Sequence, residues 1–257
     1  KKGEAQGNFR CVQQPRRRFC LMDLDNESLL LCFISEEEKT QVEAWCKENG
    51  HERSDIFEFR LEEADKLREL GNGLFKDGDY KAALQRYFGA IWQLDFDIGQ
   101  QWNLMENHQL DLNTRKLKVV SNVCAAYLKE KDWVKTKSSA DIGLRHIQKS
   151  GLTDEKEAEA KFSYRKGLAN LERGFHEDAF EDLKKAAAIS PNDRQIREAL
   201  KQASVGQKAD LQRAKEVYRG KLLSEEEKIL QGPWWHSATI LTRARVFCRR
   251  RCRRKSA

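Results

Sequence analysis

The chain contains only three prolines among its 257 residues and no apolar run long enough to cross a membrane. The scarcity of proline permits long helices over most of the length and argues against a Pro-rich linker. The longest apolar run, Leu29 to Ile34, is far shorter than the ~20 residues of a membrane-spanning helix. The sequence therefore predicts a helix-rich chain without a transmembrane segment.

Cysteine and histidine occur without the spacing of a metal site or of a catalytic pair. The seven cysteines are an odd number, are scattered, and belong to a chain too large to need disulfide stapling. The histidines, which we expect at the surface, are His51, His108, His146, His176 and His236. We therefore expect a reducing location, cytoplasmic or also nuclear, and no metal, cofactor or catalytic residue in this chain.

The formal charge of +7 is concentrated at the C-terminal end. Residues 243–257 hold seven arginines, one lysine and no acidic residue, and removing that +8 leaves the remaining chain at −1. A charge confined to a tail does not imply specific binding of nucleic acid by the whole protein.

Residues 1–60 form an N-terminal segment to which the sequence assigns no fold. It contains an acidic, helix-like stretch from Ser35 to Asn49 and then the alternation Phe57, Phe59, Leu61. A period of two predicts a short strand. The segment is too short for a complete enzyme domain and is expected to be either a small module or the remnant of an upstream domain.

From Glu62 onward the apolar period becomes helical, and three small residues repeat along the chain. Gly71, Cys124 and Gly167 are separated by 53 and 43 residues. A tetratricopeptide repeat (TPR) has about 34 residues, so the excess is assigned to insertions near 95–113 and 148–157. Small residues of this kind allow two helices to approach to within ~8–10 Å.

The region from about 62 to 221 resembles a three-repeat TPR domain. The matching positions are Leu70-Gly71, Ala83, Tyr87 and Ala90 in the first repeat, Asn122, Tyr127 and Trp133 in the second, and Gly167, Ala179, Leu183, Ala186 and Pro191 in the third. The resemblance implies an all-α helical solenoid with repeats at about 62–95, 114–147 and 158–191. Residues 192–221 would form a capping helix that covers the last apolar face.

Three local matches are similar to the C-terminal domain of large immunophilins, the forty-kilodalton cyclophilin and the multidomain FK506-binding proteins. They are Tyr164-Arg165-Lys166-Gly167, Asp182-Leu183-Lys184-Lys185-Ala186 and Lys215-Glu216-Val217-Tyr218. The resemblance implies a co-chaperone module that binds other proteins.

Five residues match the positions with which this family holds the C-terminal EEVD-type peptide of heat-shock protein 90 or 70: Arg68, Asn72, Asn122, Lys161 and Arg165. Arg68 and Asn72 are four residues apart, as are Lys161 and Arg165, so each pair projects from one face of a helix. Cations and neutral amides suit the two carboxylates of a terminal aspartate. The resemblance implies a dicarboxylate clamp, with Arg68 in place of the usual lysine.

Two other functions remain open on the sequence. The chain could belong to a peptidyl-prolyl cis/trans isomerase whose catalytic domain lies upstream of this fragment, because such a domain usually precedes these repeats in immunophilins. It could also be a general TPR scaffold that binds internal peptide segments.

Residues 222–257 form the basic tail, in which Trp234, Leu241 and Phe247 occupy positions 1, 8 and 14 of a basic amphipathic stretch. These anchors resemble those of calmodulin-target helices, a property ascribed to some large immunophilins. Adhesion to an acidic membrane surface, nuclear import and a solvated end are the alternatives.

Overall fold

The computed structural model describes residues 29–96, 104–152 and 155–231, and in that part of the chain every regular element is helical. The chain divides into two compact units, unit 1 at Lys1–Glu155 and unit 2 at Lys156–Ala257. No helix within the described ranges combines the length and the apolar character that a membrane crossing requires.

The described residues of unit 1 form a short 3-10 helix and five α-helices. The 3-10 helix is Leu29–Cys32, followed by α1 Glu36–Glu48, α2 Phe57–Asp77, α3 Tyr80–Leu94, α4 Glu106–Lys129 and α5 Trp133–Ser150. The part of unit 2 that the structure describes forms three α-helices: α6 Lys156–Glu172, α7 His176–Ile189 and α8 Arg194–Gln231. The pairs α2/α3, α4/α5 and α6/α7 are the three repeats, and α8 packs on α7.

Local sequence signals explain where these helices begin and end. Gly78 ends α2 in a left-handed conformation with φ of 86°, which glycine adopts without strain. The next residue, Asp79, then accepts a hydrogen bond from the backbone N–H of Ala82 at 3.0 Å and so caps α3. Asp132 caps α5 in the same manner through Lys135 at 3.0 Å. One helix–turn–helix unit is therefore encoded locally, as expected from the sequence.

The prediction of a strand at Phe57, Phe59 and Leu61 is wrong, because these residues form the first turns of α2. Leu61 is buried together with Ala64 and Leu67, a helical spacing, whereas Phe59 is 41% exposed. The alternation does not mark one face of a strand, since Leu61 is buried, Phe57 is half-buried and Phe59 is exposed.

The small residues lie where the two helices of each repeat pack together, as predicted. A Cβ atom on Gly71 would lie 2.5 Å from Cε1 of Tyr87, and one on Gly167 would lie 2.6 Å from Cγ of Leu183. In the middle repeat Cys124 is fully buried, and its thiol approaches the carbonyl oxygen of Thr136 at 3.6 Å. Each position is thus occupied by a residue small enough for close helix packing.

The acidic helix expected at residues 35–49 is present and packs on α3. Ser35 and Glu38 form a capping box at its N-terminus. The guanidinium of Arg86 lies 3.5 Å from the ring centroid of Trp45, and burial raises the pKa of Cys46 to about 11. This part of the N-terminal segment is therefore an added layer on the first repeat, and the sequence did not indicate it.

Two helices extend beyond their expected limits. α4 begins at Glu106, so residues 106–113 are helical although we assigned them to an inserted loop. The capping helix α8 continues to Gln231, beyond the expected end at 221. Within unit 2 the packing between α7 and α8 buries Ala179, Leu183, Ala199 and Ala203, which is the covering role predicted for a capping helix.

Candidate peptide-binding site

Three of the five predicted clamp residues lie in unit 1, and two of them are directly hydrogen-bonded. The Nδ2 amide of Asn122 on α4 donates to Oδ1 of Asn72 on α2 at 2.8 Å. The hydroxyl of Tyr87 on α3 donates to the same oxygen at 2.9 Å. Asn72 therefore links the first helices of two successive repeats. Tyr87, at a TPR consensus position on the second helix of the first repeat, adds a hydrogen bond to the same oxygen.

These two hydrogen bonds fix the orientation of the Asn72 amide. Oδ1 accepts from both neighbours, so the Nδ2 group must point the other way. Among the described residues, Nδ2 of Asn72 has no hydrogen-bond partner. Burial raises the pKa of Tyr87 to about 12, so its hydroxyl keeps the proton that it donates. The result is a neutral N–H donor available to an anionic ligand.

Arg68 lies one turn before Asn72 on α2 and belongs to an ion-pair network. Its Nε donates to Oδ1 of Asp65 at 3.3 Å, and Nη2 lies 3.9 Å from a carboxylate oxygen of Glu69. The other oxygen of Asp65 pairs with Nη1 of Arg115 on α4, and Nε of Arg115 donates to Asp111 at 3.1 Å. Asp65 thus holds two guanidinium groups from different repeats next to each other.

The remaining two clamp residues lie in unit 2, on one face of α6. Lys161 has a 60% exposed side chain whose Nζ lies 3.9 Å from Glu157 one turn earlier. Such an exposed pair contributes little to stability, so the ammonium group can pair with a ligand at low cost. Arg165 follows one turn later and is half-buried.

Neighbouring motif residues in unit 2 have a structural role. Lys166 pairs with Asp182 at 3.5 Å, and Nδ2 of Asn170 donates to the same carboxylate at 2.9 Å. Burial raises the pKa of Asp182 despite these partners. Two of the local matches to immunophilins therefore pack against each other, through Lys166–Asp182 and through Gly167–Leu183.

Three features of this region were not predicted from the sequence: Asp65, Arg115 and the role of the Tyr87 hydroxyl. The helical spacing of Asp65 and Arg68 was readable, because residues three apart share a helix face. Asp65 and Arg115 are 50 residues apart in the sequence, so no local pattern predicts that they form an ion pair. Arg115 does lie seven residues, two turns, before Asn122, which places it on the same face of α4.

Surface positions were expected for the histidines, but the four in the described ranges, His51, His108, His146 and His176, are half-buried. Nδ1 of His51 donates to a carboxylate oxygen of Glu63 at 2.9 Å, and Nδ1 of His176 pairs with Asp210 at 2.6 Å. His146 on α5 donates to the carbonyl oxygen of Asn113 on α4 at 3.0 Å. No group of metal-ligating side chains occurs in the described ranges, and the tail anchors Trp234, Leu241 and Phe247 lie outside them.

Comparison with known proteins supports the class that this fold defines. No protein-family model matches the chain. Peptidyl-prolyl cis-trans isomerase FKBP42 of Arabidopsis thaliana is 30% identical over 179 residues, which is 69% of this chain and 46% of that protein. Peptidyl-prolyl cis-trans isomerase D of Kluyveromyces lactis is 28% identical over 148 residues, 58% of this chain and 38% of that protein. The chain thus spans less than half the length of either relative.

Among solved structures, the C-terminal TPR-containing domain of a Plasmodium falciparum FK506-binding protein is similar. It is 25% identical, with a TM-score of 0.52, and the match covers 61% of this chain and 96% of that domain. The described helices therefore define an all-α tetratricopeptide-repeat protein, a class of protein-binding module. More particularly, the repeats are similar to those of immunophilin TPR domains.

Proposed function

We propose that the chain captures the C-terminal peptide of a cytosolic heat-shock chaperone of the EEVD type. The residues proposed to hold its terminal carboxylates are Arg68, Asn72, Asn122, Lys161 and Arg165. The observation that carries the proposal is the Nδ2 group of Asn72, a half-buried donor that two hydrogen bonds orient and that no described residue occupies.

The chemistry of these residues fits a peptide terminus. A free C-terminal aspartate offers two carboxylates, whereas an internal aspartate offers one. Guanidinium and ammonium groups supply charge-assisted hydrogen bonds worth about 1.5–3 kcal/mol each. The two asparagines add donors without adding charge, and Asp65 keeps the Arg68 guanidinium in place before the ligand arrives.

Isothermal titration calorimetry with a peptide ending in Glu-Glu-Val-Asp tests the proposal. We expect micromolar affinity, about −8 kcal/mol, for the free acid and no measurable binding for its C-terminal amide. The Lys161→Ala/Arg165→Ala variant and the Asn72→Ala variant should each lose binding. Lys184→Ala/Lys185→Ala removes the same charge from exposed positions on α7 and should bind as the parent does.

Two results would replace the proposal by one of the alternatives. Equal binding of the free acid and the amide would identify a scaffold that reads internal peptide segments. If neither peptide binds, the isomerase alternative should be tested by assaying a longer product for that activity. The two relatives are named for peptidyl-prolyl cis-trans isomerase activity.

A further inference from the structure

Arg115 is a cation of the proposed binding face that the five-residue clamp does not include. It lies on α4, two turns before Asn122, and its side chain is 27% exposed. Its Nη1 pairs with Asp65 and its Nε with Asp111. The same Asp65 carboxylate binds Arg68, so Arg115 is tied to a proposed clamp residue by one shared anion.

The guanidinium of Arg115 retains donors that these partners do not use. Arginine has five N–H groups in a planar fork, and the two carboxylates contact only Nε and Nη1. In the part of the chain that the structure describes, Nη2 of Arg115 has no partner. Because Asp65 and Asp111 hold the plane of the group, the remaining donors are oriented before a ligand binds.

We propose that Arg115 is a specificity-determining residue that binds an acidic side chain three residues before the C-terminus of the captured peptide. This inference rests on the proposed function. Seven residues of α-helix rise about 10 Å, and three residues of extended peptide span about the same distance. In the proposed complex the last residue of the peptide contacts Asn72 and Asn122, and the preceding residues run along α4 toward the N-terminus of that helix. The acidic side chain three residues before the C-terminus of the peptide then lies at Arg115.

Asp65 has a defined part in this arrangement. It is a positioning residue, because it fixes Arg68 for the terminal carboxylates and Arg115 for the upstream acid with the two oxygens of one side chain.

A double-mutant cycle between protein and peptide tests the proposal. The peptide ending in Glu-Glu-Val-Asp and its variant with Gln for the first of these glutamates are titrated into the parent protein and into Arg115→Gln. We expect each single change to weaken binding about tenfold and the combination to cost no more than either alone. Arg115→Lys, which keeps the charge but loses the fork, should lie between the parent and Arg115→Gln.

Lys129→Gln is the matched control, because Lys129 is exposed and lies seven residues after Asn122, at the same distance in the opposite direction. It should bind both peptides as the parent protein does. Coupling of the glutamate to Lys129 instead, or equal losses for both peptides in Arg115→Gln, would overturn the proposal. Urea unfolding of Arg115→Gln and Arg115→Lys separates loss of binding from loss of structure.

The outcomes distinguish this inference from the function on which it rests. If the parent binds the free acid but not the amide, and the cycle shows no coupling, the clamp stands and the role of Arg115 is rejected. If the parent does not bind the free acid, the proposed function fails and the role of Arg115 fails with it.

Discussion

The side-chain amide of Asn72 is held in one orientation by two neighbouring side chains. An asparagine on a helix face is ordinarily free to present either its oxygen or its nitrogen to solvent. Here Tyr87 and Asn122 both donate to the oxygen, so the nitrogen is the atom available to a ligand. This orientation favours a hydrogen-bond acceptor, such as a carboxylate oxygen of the proposed peptide.

Replacing Tyr87 by phenylalanine tests the importance of that support. Tyr87→Phe removes one donor to Asn72 and should lower peptide affinity about fivefold, with a loss of about 0.5–1.5 kcal/mol in the free energy of unfolding. Peptide titration and urea unfolding measure the two effects. Tyr127→Phe makes the same chemical change on α4, away from Asn72, and should leave affinity unchanged; an equal loss there would contradict the account.

At the scale of the helix pair, two glycines on α2 have opposite roles. A Cβ on Gly71 would meet the Tyr87 ring at 2.5 Å, whereas a Cβ on Gly73 would meet nothing within 4 Å. Gly71 is therefore required by the packing of α2 against α3. Gly73 only weakens the helix, because glycine is a poor helix former.

Alanine substitutions at these positions should therefore change stability in opposite directions. Gly71→Ala should cost about 1–3 kcal/mol through overpacking, and because Tyr87 must move, it should also weaken peptide binding. Gly73→Ala should stabilise the protein by roughly 0.5–1 kcal/mol. Urea unfolding measures both, and a stabilising Gly71→Ala would show that the helix contact is looser than described.

The contact between α4 and α5 should make stability depend on pH near neutrality. Burial lowers the pKa of His146, outweighing its hydrogen bond to the Asn113 carbonyl, and the nearby Lys116 lowers it further. The unfolded chain then binds a proton more readily than the folded one as pH falls below about 6.5. Folding stability should accordingly decrease from pH 7.5 to pH 5.5.

The His146→Gln variant, whose amide can also donate to the Asn113 carbonyl, should reduce that decrease. Urea midpoints at the two pH values for both proteins provide the measurement. An identical fall in stability in the variant would assign the pH dependence to other groups.

Much of the helix arrangement was predictable because its signals are local. Gly78 as the end of α2, the small residues at helix contacts and the capping role of α8 are all readable from spacing and residue size. The strand predicted at Phe57 was wrong because it also relied on a local signal. A short alternation of apolar residues does not reveal which of them will be buried. The Asp65–Arg115 pair depends on two helices meeting across 50 residues, which no short window of sequence contains.

At the scale of the whole molecule, the basic tail is separate in sequence from the proposed clamp residues. Outside residues 243–257 the formal charge is only −1, and the tail holds the excess of basic residues. We propose that the tail makes a second, independent contact with calmodulin or an acidic surface through Trp234, Leu241 and Phe247. Its ligand would be selected by apolar anchors and charge, rather than by a chain terminus.

The triple variant Trp234→Ala/Leu241→Ala/Phe247→Ala should lose calmodulin binding while retaining full affinity for the chaperone peptide. Fluorescence titration with calmodulin, with calcium and with a chelator, measures the first effect. A parallel binding assay with vesicles that contain anionic lipid shows whether the tail binds calmodulin or a membrane surface. Unchanged calmodulin and vesicle binding in the variant would exclude these three anchors.

Side-chain NMR tests most directly whether the Nδ2 group of Asn72 binds the peptide terminus. The ¹⁵N–¹H₂ resonances of Asn72 and Asn122, assigned with Asn72→Ala and Asn122→Ala, are followed while peptide is added. We expect the free-acid peptide to shift the resonances of the Asn72 amide protons and the peptide with a C-terminal amide to leave them unchanged. If saturating free acid leaves the Asn72 amide resonances unmoved, the proposed clamp is contradicted.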